Sequence, residues 1–295
     1  MNYILSAIIS SIIAGSSLLI ASLGEVFSER SGVLNLGIEG IFVLGCAVSY
    51  TVTIAYNNLI VGFIIATLVG LLMGLIHGIA SVLLRGNQVI SGLALTIFSY
   101  GLASLIGRIY LGRPLPTYLI SERFWILVLI AEIIIVIFSW YTLFKLKIGA
   151  IIRAVGENPS AADALGVDVI KTRIYATALG SSLVGLAGAW HVLAYLHMWI
   201  EGTGMGRGWI ALAIVIVAGW NPILIPFFSY LFGGIDALIY SLQLPPYNMN
   251  PYLLSMIPYG LTIGLLSIFM ATPLKKLFKP PNALCKAFYR EERTI

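Results

Sequence analysis

Six ionisable side chains interrupt otherwise apolar runs of this chain: Glu39, Glu132, Asp236, His77, His191 and His197. A charged side chain costs about 2.5–3.5 kcal/mol at the centre of a membrane helix on insertion scales, so each needs a partner or a task. Glu39 stands between Gly37 and Gly40, just after Asn35. That spacing predicts a broken helix entry, whose free backbone groups can contact a polar solute; the competing reading is that Glu39 caps a helix or pairs locally, with Arg30 as partner. Asp236 and Glu132 either face a polar ligand or neutralise a donor on a neighbouring helix. His191, Tyr195 and Trp199 recur at i, i+4 and i+8. This predicts one polar-aromatic stripe, able to stack on a ring-shaped ligand or to form an interfacial belt. The three histidines are scattered, and neither His-Glu-x-x-His nor Gly-x-Ser-x-Gly occurs, so an intramembrane hydrolase has no constellation to work with.

The elements that position these residues follow from composition. Of 295 residues, 59% are hydrophobic and 10% charged, and the mean hydropathy is +0.99; a soluble domain is about 45–50% apolar and about 25% charged. A span needs about 20 apolar residues, so the chain reads as an all-α polytopic membrane bundle. The composition excludes a soluble enzyme, a disulfide-stapled secreted domain and, despite a pI near 9.2, a nucleic-acid binder. Cys46 lies in an apolar run and Cys285 in a polar tail, which predicts two free thiols. The first run has no basic segment before it and no small-residue cleavage site after it, so it reads as a retained span.

Apolar runs fall at residues 3–23, 33–56, 59–84, 89–106, 124–144, 174–200, 209–218, 223–242 and 252–271. The seventh is too short to cross upright, giving about 8 to 10 spans with short or re-entrant segments counted. Cytoplasmic loops hold the excess Lys and Arg. Lys145, Lys147, Arg153, Lys171 and Arg173 fall between the fifth and sixth runs, and Lys275, Lys276, Lys279, Lys286, Arg290 and Arg293 follow the ninth. Both regions, the loop 145–173 and the basic tail 273–295, therefore read as cytoplasmic, with an even number of crossings between them. Five runs before the loop leave Met1 outside, together with Arg108, Arg113 and Arg123, against the charge rule. Gly70, Gly74 and Gly78, like Gly185 and Ala189, have helix-packing spacing. Gly202-x-Gly204-x-Gly206-x-Gly208 follows no strand, so it reads as an outer or re-entrant segment rather than a dinucleotide loop.

Long polar loops in compact folds usually carry function, and the loop 145–173 contains full helix punctuation. Asn158 is a natural N-cap, Pro159 suits the first helical position and Gly166 suits the left-handed stop, predicting a two-turn helix over 159–165. Ala161, Ala162 and Leu165 are expected on one small-residue face that presses into a partner. No Gly-x-x-x-x-Gly-Lys-Ser/Thr loop occurs in the chain. If ATP drives this bundle, the ATPase is a separate polypeptide that grips this helix.

The segment from Arg153 to Val167, with Glu157, Asn158, Pro159, Ala161, Ala162, Leu165 and Gly166 at its centre, resembles the coupling-helix segment of bacterial ABC importer permeases of the ribose and branched-chain amino-acid class. Its Ala161-Ala162-x-x-x-Gly166 is similar to the core by which such permeases dock to their ATPases. Ser28 to Gly40 resembles the first block of the nucleoside, simple-sugar-like branch. Gly206 to Ala213, Gly219-Trp220-Asn221-Pro222 and Pro281-Asn282-Ala283-Leu284 follow in that branch's order, so the resemblance covers nearly the whole chain. Trp190-His191 and His197-Met198-Trp199 depart from it. The resemblance implies a single transmembrane permease domain over 1–295 in the bacterial cytoplasmic membrane, with the C-terminus cytoplasmic. It also implies a nucleoside solute, ATPase subunits carrying ATP and magnesium, an extracellular or periplasmic solute-binding protein and a second, related permease half. No cofactor is expected on this chain. The competing class is an ion-coupled secondary transporter, kept open by Glu39 and Asp236; Asn35, His191, Tyr195 and Trp199 complete the candidate pathway residues.

Overall fold

The computed structural model describes residues 3–116, 122–271 and 279–290. Lys275, Lys276 and Arg293 lie outside the described residues. The chain folds into α1 (Tyr3–Arg30), α2 (Ile38–Tyr56), α3 (Leu59–Gly78), α4 (Gln88–Gly107), α5 (Glu122–Phe144), α6 (Lys147–Glu157), α7 (Pro159–Ala164), α8 (Val169–Trp190), α9 (Arg207–Val217), α10 (Ile225–Gln243), α11 (Pro251–Ser255) and α12 (Ile257–Ala271). Among the described residues seven helices are long and apolar enough to cross a membrane, or eight if α5 and α6, bent by 67°, form one span. The helix α9 is the short one expected from the seventh run.

Turn residues start the helices where no preceding turn supplies an acceptor. Asn58, Asn87, Asn158, Asp168 and Asn250 each accept hydrogen bonds from first-turn amides, satisfying donors the helix itself leaves free. At the centre, α8 packs against α1, α2 and α3 through glycine. A Cβ on Gly70 would stand 3.0 Å from the Gly185 Cα, one on Gly74 2.9 Å from the Ala178 Cα, and one on Gly78 3.3 Å from the Ile174 Cα. The four-residue glycine repeat of α3 is therefore a packing seam, and backbones this close gain the dispersion that replaces a hydrophobic drive in lipid. The opposite face of α3 exposes Ile60, Ile64, Leu68 and Leu72, as a lipid-facing surface would.

Several boundaries differ from the apolar runs. The first helix continues beyond residue 23 to Arg30, because Glu25 and Glu29 are fully buried against other elements. The second begins only at Ile38; residues 33–36 are not helical, which is the broken entry expected at Asn35-Leu36-Gly37. The sixth run ends in a π turn, His191–Leu196, followed by His197 at φ 58°. The helix ends at Leu196, where His197 turns left-handed, so Trp199 lies outside it and the i, i+4, i+8 stripe does not extend to it.

One face of the bundle gathers the α1 end, the loop 145–173 and the tail. The Arg30 carbonyl packs on Gly156 of α6, and the Arg85 guanidinium, after α3, lies 4.8 Å from the Tyr289 ring. The opposite face holds the segments after α4 and α8, joined by Leu115 N–H to the His197 carbonyl at 2.8 Å and Gly112 N–H to the Trp199 carbonyl at 2.8 Å. Arg108 and Arg113 fall on that far side.

Candidate functional site

The polypeptide between α1 and α2 is the structural centre of the site. Non-helical backbone at membrane depth survives only when protein satisfies it, and side chains from four helices do so here. Leu34 N–H donates to Gln88 Oε1 at 2.8 Å, and the Leu34 carbonyl accepts from His77 Nε2 at 3.1 Å. The other His77 nitrogen meets the Ser91 hydroxyl at 3.1 Å. Asn35 N–H donates to Glu25 Oε1 at 3.3 Å and Asn35 Nδ2 to Ser181 Oγ at 3.1 Å, while Asn35 Oδ1 takes the Gly37 N–H at 3.1 Å. Thr96 Oγ1 donates to the Leu36 carbonyl at 3.0 Å.

This segment delivers Glu39, in the first turn of α2, to the start of α9. Glu39 Oε1 accepts from Gly206 N–H at 2.6 Å and from the Tyr100 hydroxyl at 2.7 Å; Oε2 accepts from Trp209 N–H at 3.2 Å. A carboxylate suits that place because a helix N-terminus carries free amides and partial positive charge. The approach requires glycine: Gly206 has φ +88°, and a Cβ on Gly208 would lie 2.8 Å from Glu39 Oε2. Gly202 to Gly206 is a run of turns that leads into α9. Glu39 is fully buried, and its partners are α9 and α4 rather than Arg30, which donates to the carbonyls of Trp220 at 3.1 Å and Gly219 at 3.3 Å. Tyr100 and the more exposed Tyr259, whose hydroxyl lies against Gly206, flank the carboxylate.

A second polar cluster forms at the same end of α9. Arg207 Nη2 pairs with Asp236 Oδ2 at 2.6 Å, and Nη1 donates to the Ala14 carbonyl at 3.2 Å and Ser17 Oγ at 3.4 Å. The guanidinium lies 5.7 Å from the Tyr195 ring; Tyr195 and His191 are in turn 5.6 Å apart, as are His191 and Phe42. Asp236 thus neutralises a neighbouring helix's cation, and Glu132 likewise accepts from the Tyr230 hydroxyl at 3.0 Å. His191, Tyr195 and Asp236 are brought together, whereas Trp199 packs on Gly107 in the far-side layer. At the other end of α9, Trp220 Nε1 donates to Glu29 Oε2.

On the inner-layer face, α7 has its expected caps: Asn158 Oδ1 accepts from Ala161 N–H at 3.0 Å and Gly166 has φ +85°. The expected common face of Ala161, Ala162 and Leu165 does not form. Ala162 is buried against Val155, Val169 and Phe288, while Ala161 is exposed and Leu165 is 85% exposed. Two residues apart by one position cannot share the outward face of so short a helix, and the inward place goes to Ala162. Arg153 lies over the Phe144 ring at 4.9 Å, and Glu157 accepts from Asn282 Nδ2 at 2.9 Å.

Sequence reasoning passed over Glu25, Glu29, Tyr100 and Arg207. The two glutamates follow the hydropathy boundary at residue 23, and Arg207 sits within the Gly206 to Ala213 block. Tyr100 carries no sequence signal, being one of 15 tyrosines. Among the described residues no group of three or more His, Cys, Asp or Glu could hold a metal ion.

A bundle of apolar helices long enough to cross a membrane, interrupted around a fixed polar segment and carrying a capped helix at one face, is a polytopic membrane bundle. The family model described as branched-chain amino acid transport system / permease component matches residues 7–266, and the chain belongs to that family. It is a membrane-spanning permease subunit of an ABC transporter. It is 35% identical over 94% of its length, and 95% of the relative's, to TsgC13 of Haloferax volcanii, whose name describes a glucose ABC transporter permease. It is 31% identical to the guanosine ABC transporter permease protein NupQ of Bacillus subtilis, over 90% of this chain and 93% of that one. The nucleoside ABC transporter permease protein NupC of Lactococcus lactis is 30% identical, over 88% and 90% respectively. No solved structure matches.

Proposed function

We propose that this chain forms one half of the membrane pore of a nucleoside importer in the bacterial cytoplasmic membrane. A separate ATPase, which carries ATP and magnesium, grips α7 at the cytoplasmic face. The observation that carries this reading is α7 itself, a helix capped at both ends, anchored inward by Ala162 and presenting Leu165 and Ala161 outward. With α7 cytoplasmic, the tail at Arg290 shares that side and the turn 202–206 faces a solute-binding protein outside. A second, related permease chain completes the pore, and solute passes beside the Glu39, Tyr100 and Tyr259 edge. Residues 1–295 act as one permease domain.

The relatives named for nucleosides and guanosine, together with the Ser28 to Gly40 block, support a nucleoside; the relative named for glucose supports a sugar. The two share a polyhydroxylated ring, and the flanking tyrosine rings favour the solute that also carries an aromatic base. An ion-coupled mechanism finds no support, because Asp236 is held by Arg207 and Glu39 by α9 and Tyr100. The test is competition in cells expressing the complete transporter: unlabelled nucleoside should abolish uptake of labelled guanosine while excess glucose leaves it intact. Competition by glucose alone would refute the nucleoside assignment.

A further inference from the structure

The segment of residues 279–290 lies against one face of the bundle and bonds to four separate elements. Its backbone does much of this: Ala283 N–H donates to the Gly156 carbonyl at the end of α6 at 2.9 Å, and Cys285 N–H to the Gly32 carbonyl at 3.2 Å. The Lys286 carbonyl accepts from Arg173 Nη1 at 2.9 Å, while Arg173 Nε donates to the Ser31 carbonyl at 3.2 Å. Arg173 is 1% exposed, so its guanidinium depends on these carbonyls in place of water. Side chains complete the set. Asn282 reaches Glu157, Arg290 pairs with Asp163 of α7 at 3.2 Å, and Phe288 packs against Ala162 of α7. A cavity of about 360 Å³ beside α7 is lined by Asp163, Gly166, Ile170, Phe288 and Arg290, so the tail also shapes the surface next to the helix.

We propose that residues 281–290 are a coupling strap, which carries displacement of α7 into the Gly32 turn and the broken segment that holds Asn35 and Glu39. Gly32 is the last turn residue before that segment, and it is tied through Cys285 to the same ten-residue stretch that grips Asp163 and Ala162. The tail spans α7 and the α1–α2 turn with hydrogen bonds to buried carbonyls at one end and an ion pair plus a ring contact at the other. Movement of α7 therefore pulls on Gly32 through a short, bonded path. The proposal rests on α7 being the ATPase-docking helix.

The test uses the assembled transporter in proteoliposomes and reads solute moved per ATP hydrolysed. Two variants are compared with the parent: a chain ending at Lys279, and Asn282→Ala with Arg290→Ala, which keeps the backbone bonds and the fold. Both should still recover the ATPase on purification. The truncation should lower solute per ATP by about tenfold, within the usual range of coupling between sites. The double variant should lower it by about threefold, as befits a partly exposed ion pair. Charge reversal, Asp163→Arg with Arg290→Asp, should restore the parent ratio relative to Arg290→Asp alone. Unchanged coupling in both variants, or loss of ATPase recovery in both, overturns the strap. Should the parent chain itself recover no ATPase and move solute without ATP, the docking reading of α7 fails first, and that result is distinct from variants that stay coupled.

Discussion

Replacing Glu39 by Gln keeps the shape of the side chain and removes its charge, which isolates what the carboxylate does at the start of α9. Three donors converge on it: Gly206 N–H, Trp209 N–H and the Tyr100 hydroxyl. Hydrogen bonds to a charged group contribute about 1.5–3 kcal/mol each and neutral ones about 0.5–1.5, so roughly 1 kcal/mol per bond is lost. The amide also presents an N–H₂ toward donors in place of one acceptor oxygen, leaving at least one group unsatisfied at about 1–3 kcal/mol. Loss of the negative charge at a buried helix N-terminus removes up to about 2 kcal/mol, part of which is already counted in the bonds. With two bonds weakened by about 1 kcal/mol each and the third donor left unsatisfied, the net expectation is about 3–5 kcal/mol, and Glu39→Asp should fall between Gln and the parent because its charge remains while its reach shortens. The assay is thermal unfolding of the purified complex in mild detergent, followed by monodisperse peak height. At about 2–4 °C per kcal/mol for chains approaching this size, the midpoint should fall by about 10 °C for Gln. A Gln variant that melts with the parent would refute the account of Glu39 as the pin between α2 and α9.

The Arg207 and Asp236 pair makes a complementary prediction. Arg207→Met or Asp236→Leu alone leaves a buried charge unpaired and should cost about 3–5 kcal/mol, whereas the double replacement should recover most of it; a melt of all three in detergent checks this. Leu165→Asp, at an 85% exposed position, should leave the melting midpoint unchanged and abolish co-purification of the ATPase. Asp168→Ala should cost about 1 kcal/mol through loss of the α8 N-cap. The Lys171 amide, with its ammonium, holds the Asp168 carboxyl below its ordinary value. The cap is therefore fully present above the ordinary carboxylate range and is lost only as pH falls through the lowered value, so the difference between variant and parent should be constant at neutral pH and vanish in strong acid.

Hydropathy made the helices visible, and side-chain caps made α7 visible to within a residue, because both signals are local. The break at Asn35-Leu36-Gly37 was also legible, since Asn and Gly within an apolar run disfavour continuous helix. What stayed hidden was each buried group's partner. The i, i+4, i+8 spacing of His191, Tyr195 and Trp199 assumed a helix that continues past residue 199, whereas it ends at Leu196 with His197 in a left-handed turn. The face assigned to Ala161, Ala162 and Leu165 failed for a related reason: only tertiary contact with Phe288, more than 120 positions along the chain, decides which small residue turns inward.

Four ionisable residues of this bundle share a property that their sequence neighbours do not reveal. Glu25 takes an amide of the 33–37 break, Glu39 takes the amides that open α9, and Arg30 takes the carbonyls of the Gly219-Trp220 turn that closes it. Arg173 takes carbonyls of the Gly32 turn and the tail. In each case the charge sits on one helix and the orphaned backbone belongs to another element, because helix interruptions within lipid leave groups that water cannot reach. These four charges, three of them outside the apolar runs, therefore mark where the backbone of another element is interrupted, whereas Asp236 and Glu132, inside the runs, are held by the side chains of Arg207 and Tyr230. The solute path is better sought beside those breaks, at the Tyr100 and Tyr259 edge, than at the charges, which are already engaged.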